Sequence, residues 1–576
     1  AEPALPKDIK WETNEKTPPI SSKDAKTGGV FKTYMDSYPL TFRLFGPNSN
    51  DMFANWNRAF CFFDLVERHP NTLDYIPILA THWAVMKDQK TVYYKLNPNV
   101  RFSDGVNVTA DNYVEAFKAL GSEFIKDPFY NKYIKEKIQG VEKIDKYTIK
   151  ITGTYSSWRA LGEFTVSPWP YHAVKLDENW VKRDNWTSPV CVGPYKLDKV
   201  KEGSYVNFTR IKNFWGESHV YLRNRFNFER INIKVIRDEN MAFEHFKKGE
   251  LTAFHVATAS RWEKDTDFDA IKKGWIVKRK IYVKSPKGIY GIIMNLKAPI
   301  LKERNFRKAL QHLFDFNKIN KNIMYGAYIR MNSFFEGTEY EKKDLASYPY
   351  DPKKAAGYLA KAGWNKRGSD GILLNGNGQR CSFSLTYGGE GLTRHLSIYV
   401  EDLKAAGVEM KLRMVDSAKS FNDLLEKNFE SALVSMSGGI YPAPKEYLNS
   451  DFAKIPQTNN FFSFSNPEVD RLIEIYEKDL NFENRKKALA RVDEIVKDDA
   501  FYIPFWTAPF IRELFWNNLG YPPELEPAYS SSINDYYTFW YDQSRDDILK
   551  KAMSSNTPIP GVNDMIEMDP HGVLKK

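Results

Sequence analysis

Residues 78–120 read ILATHWAVMKDQKTVYYKLNPNVRFSDGVNVTADNYVEAFKAL. The run TVYYKL, an Asn-Pro-Asn turn and the following VRF predict strand, turn and strand, because aromatic and β-branched residues favour a pleated surface and Asn and Pro favour the turn. In TADNYVEAFKAL the period then lengthens. Thr109 is placed to cap a helix, Asp111 sets a negative charge in its first turn, and Tyr113, Phe117 and Leu120 recur at helical spacing. A strand pair feeding a helix is a building block of α/β architecture.

Outward from this stretch the same grammar continues. KYTIKITG alternates, with Tyr147, Ile149 and Ile151 on one face, and INIKVI at 231–236 does the same. The second half is richer in helix. NFRKALQHLFDFNKINKNIMYG puts Phe306, Leu310, Leu313, Phe314, Ile319 and Ile323 on one helical stripe that ends at Gly326. YDPKKAAGYLAKAGW reads as a short helix closed by Gly363, and ENRKKALARVDEIVKDDAF carries Leu489, Val492 and Val496 at three- and four-residue steps. CSFSLTY, VEMKLRMV and SALVSMS lie between helices and read as strands, so open α/β sheets are expected, at least two of them. No repeat of fixed period interrupts this order.

A chain of 576 residues is longer than one hydrophobic core usually grows, so two or three domains are expected. With 42% hydrophobic and 15% aromatic residues spread along its length, the chain has globular composition. Residues 1–28 are polar and rich in Pro and Lys and read as an irregular arm. No window reaches the roughly 18 apolar residues of a membrane-spanning helix. The first residue is Ala1, so a soluble mature form trimmed behind a signal peptide is expected. The formal charge is +10, yet 83 basic residues are interleaved with 73 acidic ones and form no long run. A nucleic-acid partner would call for a concentrated basic stripe and is therefore not expected.

Motifs with a mechanical reason for their spacing are missing: there is no Gly-x-Ser-x-Gly elbow, no His-Glu-x-x-His and no phosphate-cradling Gly-rich loop. Cys61, Cys191 and Cys381 are too far apart for a zinc or dithiol site, which leaves buried thiols or at most one long-range disulfide. Asp542, Asp546 and Asp547 fit no calcium loop and read as a solvated helix start. No catalytic residue, cofactor or metal is expected. Paired carboxylates from distant strands would leave a secreted glycosidase or a carbohydrate-binding receptor as the alternative class.

The order of segments resembles the family 5 extracellular solute-binding proteins, the oligopeptide- and dipeptide-binding class. Phe102, Asp104, Gly105, Thr109, Ala110 and Asp111 fit that family's F-x-DG-x-x-x-TA-x-D turn and helix. VGPYKL is similar to its GTGPY turn, NFWG to its NYWGG, and AFEHFKKGELTAF to its helix and strand ending in GE-x-D. Cys191 stands where the family shows small residues such as glycine. YLRNRFNFERINIKVIRDENMAFEHFKKGE and LFDFNKINKNIMYGAYIRMNSFFEGTEY are similar to the YejA-like branch, which serves an ABC importer of peptides and of microcin C type compounds.

The resemblance implies a two-lobe periplasmic-binding-protein fold, α/β, class II and of the large peptide-binding type, with an extra subdomain inserted in lobe one. Its divisions would be an arm over 1–28, lobe one over 29–52, 180–285 and 510–576, the insert over 53–179, and lobe two over 286–509. It implies a non-catalytic monomer in a Gram-negative periplasm that closes on a peptide and hands it to the permease subunits of an ABC importer. Main-chain recognition would make it promiscuous, because every peptide offers the same amide pattern. Oligopeptide binders of this family anchor the ligand amine on an aspartate ahead of P-x-x-x-L-N. Here SMSGGIYPAPKEYLNS has Ile440 near that place and no carboxylate. The expected ligand-binding residues are Ser435, Ser437, Gly438, Gly439 and Tyr441 for backbone and hydroxyl contacts, Arg330 and Asn332 for a ligand carboxylate or phosphate, and Trp506 as a wall.

Overall fold

In the computed structural model, which describes residues 5–521, 528–529, 535–561 and 565–573, the stretch 78–120 begins as two antiparallel strands. Ala80–Val85 pairs with Thr91–Leu96, Trp83 opposite Tyr94 and Val85 opposite Val92. The strand expected after Asn-Pro-Asn shrinks to a single bridge, Arg101 to Asn107. Gly105 turns between them at φ +91, a conformation that costs a side chain dearly. Helix Ala110–Gly121 follows, with the Thr109 N–H donating to Asn112 Oδ1 at 2.9 Å and with Tyr113 and Leu120 buried. Strands Ile138–Asp145 and Thr148–Gly153 complete a wholly antiparallel sheet in the order 80–85, 91–96, 148–153, 138–145.

The segment expected to be an irregular arm is fastened along this sheet. Glu12 and Trp83 exchange backbone hydrogen bonds of 2.8 and 3.0 Å, Thr13 Oγ1 donates to the Thr81 carbonyl at 2.8 Å, and the Tyr221 hydroxyl donates to the Asn14 carbonyl at 2.8 Å.

The chain forms two compact units. The first comprises Ala1–Val256, Thr266–Tyr282 and Ile511–Gly572, the second Ala257–Asp265, Val283–Phe510 and Val573–Lys576. Residues 1–4 of the expected arm, and 522–527, 530–534, 562–564 and 574–576 of the expected 510–576 segment, lie outside the described residues. Besides the antiparallel sheet, the first unit holds a sheet in which Val30–Met35 runs parallel to Arg230–Val235, followed by Tyr205–Arg210 and Tyr195–Lys201 in antiparallel order. A third sheet aligns Ala253–His255, Phe510–Trp516, Ile276–Tyr282 and Ile566–Met568. Its core is one aromatic-rich cluster in which Phe60, Tyr195, Phe226, Ile231 and Ile233 expose nothing.

The second unit is built on a mixed five-stranded sheet. Ser382–Gly388 pairs in parallel with Glu409–Val415 and with Ser431–Ser435, while Tyr290–Met294 is antiparallel to Ser431–Ser435 and to Tyr502–Pro504. The stripe from Phe306 to Ile323 is broken into two helices, Arg304–His312 and Phe316–Ile323. Asp315 supplies the reason: its carboxylate accepts from the Lys318 N–H at 3.0 Å and starts a new N-terminus where a continuous helix was expected. The second helix ends at Ile323, three residues short of Gly326, which sits in the turn beyond at φ +68. Asp542 likewise caps Gln543–Ser554, accepting from the Ser544 N–H at 3.0 Å.

Cys61 and Cys191 form a disulfide, and Cys381 is buried and free. The bond joins the end of helix Met52–Cys61 to the turn ahead of strand Tyr195–Lys201 and so brackets the antiparallel sheet and its helices.

Candidate functional site

Strand Tyr290–Met294 positions the expected site residues of the second unit. Its first residue, Tyr290, lies opposite Ser435, and Gly291 lies opposite Pro504. Two residues beyond Pro504 the chain pairs again, Trp506 directly opposite Arg330 in a short antiparallel ladder. These registers bring Tyr290, Arg330, Ser435 and Trp506 into one neighbourhood. Trp506, 6% exposed, stacks on Phe505 at 4.5 Å and on His395 at 5.4 Å, and meets Tyr290 edge-on at 5.8 Å. It belongs to a packed aromatic platform.

Arg330 lies with its guanidinium 4.5 Å above the Phe314 ring. Nε and Nη2 are buried and meet no acceptor among the described residues. Burial pulls its pKa down to about 10, so the group stays cationic at neutral pH. A desolvated guanidinium with unused donors is costly unless an acceptor oxygen arrives. His395 Nδ1, in the ring stacked on Trp506, is buried with no hydrogen-bond partner among the described residues, and burial holds that ring below its ordinary pKa.

The segment after strand Ser431–Ser435 is shaped by two glycines. The Met436 N–H donates to the Ile289 carbonyl at 2.9 Å. A Cβ on Gly288 would fall 1.6 Å from the Met436 carbonyl oxygen, and one on Gly438 would fall 2.4 Å from the Lys287 carbonyl carbon, so the two backbones touch only because both positions lack side chains. Ser435, Ser437, Gly438 and Gly439 are exposed and Tyr441 is half-buried. The backbone N–H groups of Ser437, Gly438 and Gly439 donate to no acceptor among the described residues. Burial pulls the Lys287 ammonium below its ordinary pKa, and the nearby charge of Glu336 opposes that shift.

Asn332 belongs elsewhere. Its N–H donates to Glu336 Oε2 at 2.9 Å and its Oδ1 accepts from the Ser347 N–H at 2.8 Å. It borders a small hollow of about 20 Å³ shared with Gln311, Ser333 and Asp493. That is room for about one water, and the residue braces its own loop.

Sequence reasoning missed Lys287, Gly288, Tyr290 and His395. Lys287 and Gly288 sit in SPKGIYG, where a Pro and two Gly near a strand start signal a close backbone approach. Nothing marked His395, which reaches Trp506 from a different helix, Thr393–Ala406. Among the described residues no cluster of three or more His, Cys, Asp or Glu is placed to hold a metal, and no helix is long and apolar enough to cross a membrane.

The family model for bacterial extracellular solute-binding proteins, family 5 Middle, matches residues 74–459. A binding protein of Brucella suis biovar 1 is 25% identical over 550 residues, 88% of each chain. YejA of Agrobacterium fabrum, named as a peptide-binding protein, is 23% identical over 499 residues, 80% of this chain and 81% of its own. Among solved structures, the oligopeptide-binding protein AppA of Bacillus subtilis, in complex with a nonapeptide, superposes with a TM-score of 0.68 at 20% identity, over 90% of this chain and 100% of its own.

Proposed function

Because the chain belongs to the bacterial extracellular solute-binding proteins of family 5, we propose that it captures peptides by their main chain and delivers them, chemically unchanged, to the permease subunits of an ABC importer. The observation that carries this reading is the exposed run Ser437–Gly438–Gly439, whose N–H groups are unused beyond the end of a sheet strand. An extended peptide satisfies such a row with its carbonyls whatever its side chains. Arg330 supplies a cation with two unused donors for a ligand carboxylate, a geometry suited to bidentate contact, and Trp506 with Tyr290 supplies a rigid apolar wall. The Lys287 backbone packs directly against Gly438 and helps to fix the course of this run.

The stretch around Ile440 carries no carboxylate in the sequence, so a ligand amine is anchored elsewhere or the ligand is not held by a free amine. Arg330 beside an aromatic wall suits a free carboxylate. The named peptide-binding relative and the peptide-bound structural neighbour support the peptide cargo. We further propose that the protein works in a Gram-negative periplasm, as a monomer.

Native mass spectrometry of the freshly purified protein, followed by thermal shift against a mixed peptide library, tests the reading. A peptide retained at its intact mass, or a rise in unfolding midpoint with added peptide, is expected. At one hundred times Kd a ligand stabilises by about 2.7 kcal/mol. No retained mass and no shift at millimolar peptide would overturn the assignment of cargo, and recovery of cleaved peptide would overturn the non-catalytic role.

A further inference from the structure

A hollow in the first unit is lined in part by the Cys61–Cys191 disulfide and by none of the candidate-site residues of the second unit. Its volume is about 100 Å³, where one water needs roughly 10–15 Å³, so it accommodates a six-membered ring. Phe45, Phe62, Trp169 and Trp180 are among its walls. Phe45 meets Tyr130 edge-on at 4.8 Å and leans on Phe62 at 5.5 Å and on Trp169 at 5.7 Å. The rings are therefore held by one another before any guest arrives.

Arg43 gives the hollow a polar feature. It is 4% exposed, and its Nη1 donates to the Phe45 carbonyl and its Nη2 to the Pro47 carbonyl, each at 2.8 Å. Those bonds fix the guanidinium, 5.2 Å from the Trp180 ring, and leave Nε buried with no acceptor among the described residues. A small void walled chiefly by apolar and aromatic side chains, with Arg43 and Asp184 as its charged members, suits a guest that is flat and apolar with a polar group beside the ring.

We propose that this hollow is a binding site for an aromatic amino-acid residue, taking the ring against Phe45 and Trp169 and the residue's main-chain amide beside Arg43 and Asp184. The disulfide ties helix Met52–Cys61 to the 187–192 segment, which also lines the hollow. Free aromatic amino acids and aromatic residues within a peptide share this chemistry, and the probe below is blocked at both ends to measure the residue alone.

The test titrates the full-length protein with N-acetyl-L-phenylalanine amide and, in parallel, N-acetyl-L-alanine amide. The phenylalanine probe is expected to bind at least 10-fold more tightly, and its phenyl protons to show contacts with the indoles of Trp169 and Trp180 in the unmodified protein. Ala173→Trp and Ser188→Trp, both at exposed rim positions, each block the mouth and are expected to weaken the phenylalanine probe at least 10-fold without shifting the unfolding midpoint. Reduction of the disulfide is expected to weaken it several-fold. Equal binding of the two probes, or absence of phenyl-to-indole contacts, overturns the proposal whether or not either variant folds. Because the probe carries no free carboxylate or amine, its failure is separate from failure of the peptide assignment, which the library measures.

Discussion

Arg279 donates from both Nε and Nη2 to one oxygen of Glu513, the Nε bond measuring 2.9 Å, and neither side chain exposes any surface. The guanidinium also lies 5.2, 5.1 and 5.0 Å from the rings of Phe515, Tyr521 and Phe539. This pair ties strand Ile276–Tyr282 to strand Phe510–Trp516 in the first unit. Removing one partner strands a buried charge, so Glu513→Leu or Arg279→Met alone is expected to cost about 3–5 kcal/mol, whereas the double replacement recovers most of that loss. Denaturant midpoints of the four proteins measure it, and additive losses in the double variant would contradict it.

The three cysteines give a thiol count that is easily checked. Burial pushes the Cys381 thiol up to about 12, and the other two sulfurs are bonded to each other. The native protein should therefore react with no thiol reagent, and the protein unfolded without reductant should show one equivalent. Replacing Cys61 and Cys191 by alanine releases a 130-residue loop, for which chain entropy alone gives a loss of about 5 kcal/mol, an upper figure. Calorimetry should place the loss in the first unit.

Asp493 is buried at 1% exposure, and that burial raises its pKa to about 6 despite the Phe334 N–H at 2.7 Å and the Ser333 hydroxyl. The folded protein thus holds this proton more tightly than the unfolded chain. The contribution is complete below the ordinary carboxylate range near 4 and is lost as pH rises through 6. Relative to Asp493→Asn, the wild-type protein should gain stability on acidification from pH 7 to pH 4, by at most about 3 kcal/mol. A flat difference between the two pH profiles would refute the assignment.

Glycine at 438 is required by contact, whereas glycine at 439 is not: a Cβ there would meet its nearest atom, the Tyr441 carbonyl oxygen, at an ordinary 3.4 Å. Gly438→Ala should lower peptide affinity about 10-fold, or roughly 1.4 kcal/mol, while Gly439→Ala changes it less than twofold. Calorimetric titration with one retained peptide compares them.

Arg330→Gln keeps a donor and removes the charge. A peptide with a free carboxylate should lose about 1.5–3 kcal/mol of binding, the scale of a charge-assisted hydrogen bond, and the same peptide as its C-terminal amide should lose much less. Equal losses for the two would mean that Arg330 supports the fold alone.

Much of the architecture was visible in the primary structure because it rests on local periodicity. Ile149 and Ile151, Ile231 and Ile233, and Leu489 with Val492 all point inward as their spacing demands. The helix at Thr109 begins where its cap does. Reading failed where a short polar side chain outcompeted an apolar stripe, as Asp315 did by starting a second helix. It also failed where partners were distant: nothing in the spacing of three cysteines chooses Cys61 and Cys191, and the platform around Trp506 is assembled from four segments that share no motif. The paired glycines at 438 and 439 stand out in the sequence, but the contact of Gly438 with Gly288 depends on the sheet register.

The strap formed by residues 12–14 has a consequence for the solubility of the molecule. Strand Ala80–Val85 is the outer member of its sheet, and an unpaired outer strand offers free amides and carbonyls to any neighbouring polypeptide. Glu12 occupies part of that border with the chain's own backbone. A protein shortened past Thr13 would keep its cores and present a sticky margin, prone to stacking with its own copies at the concentrations reached during secretion or storage.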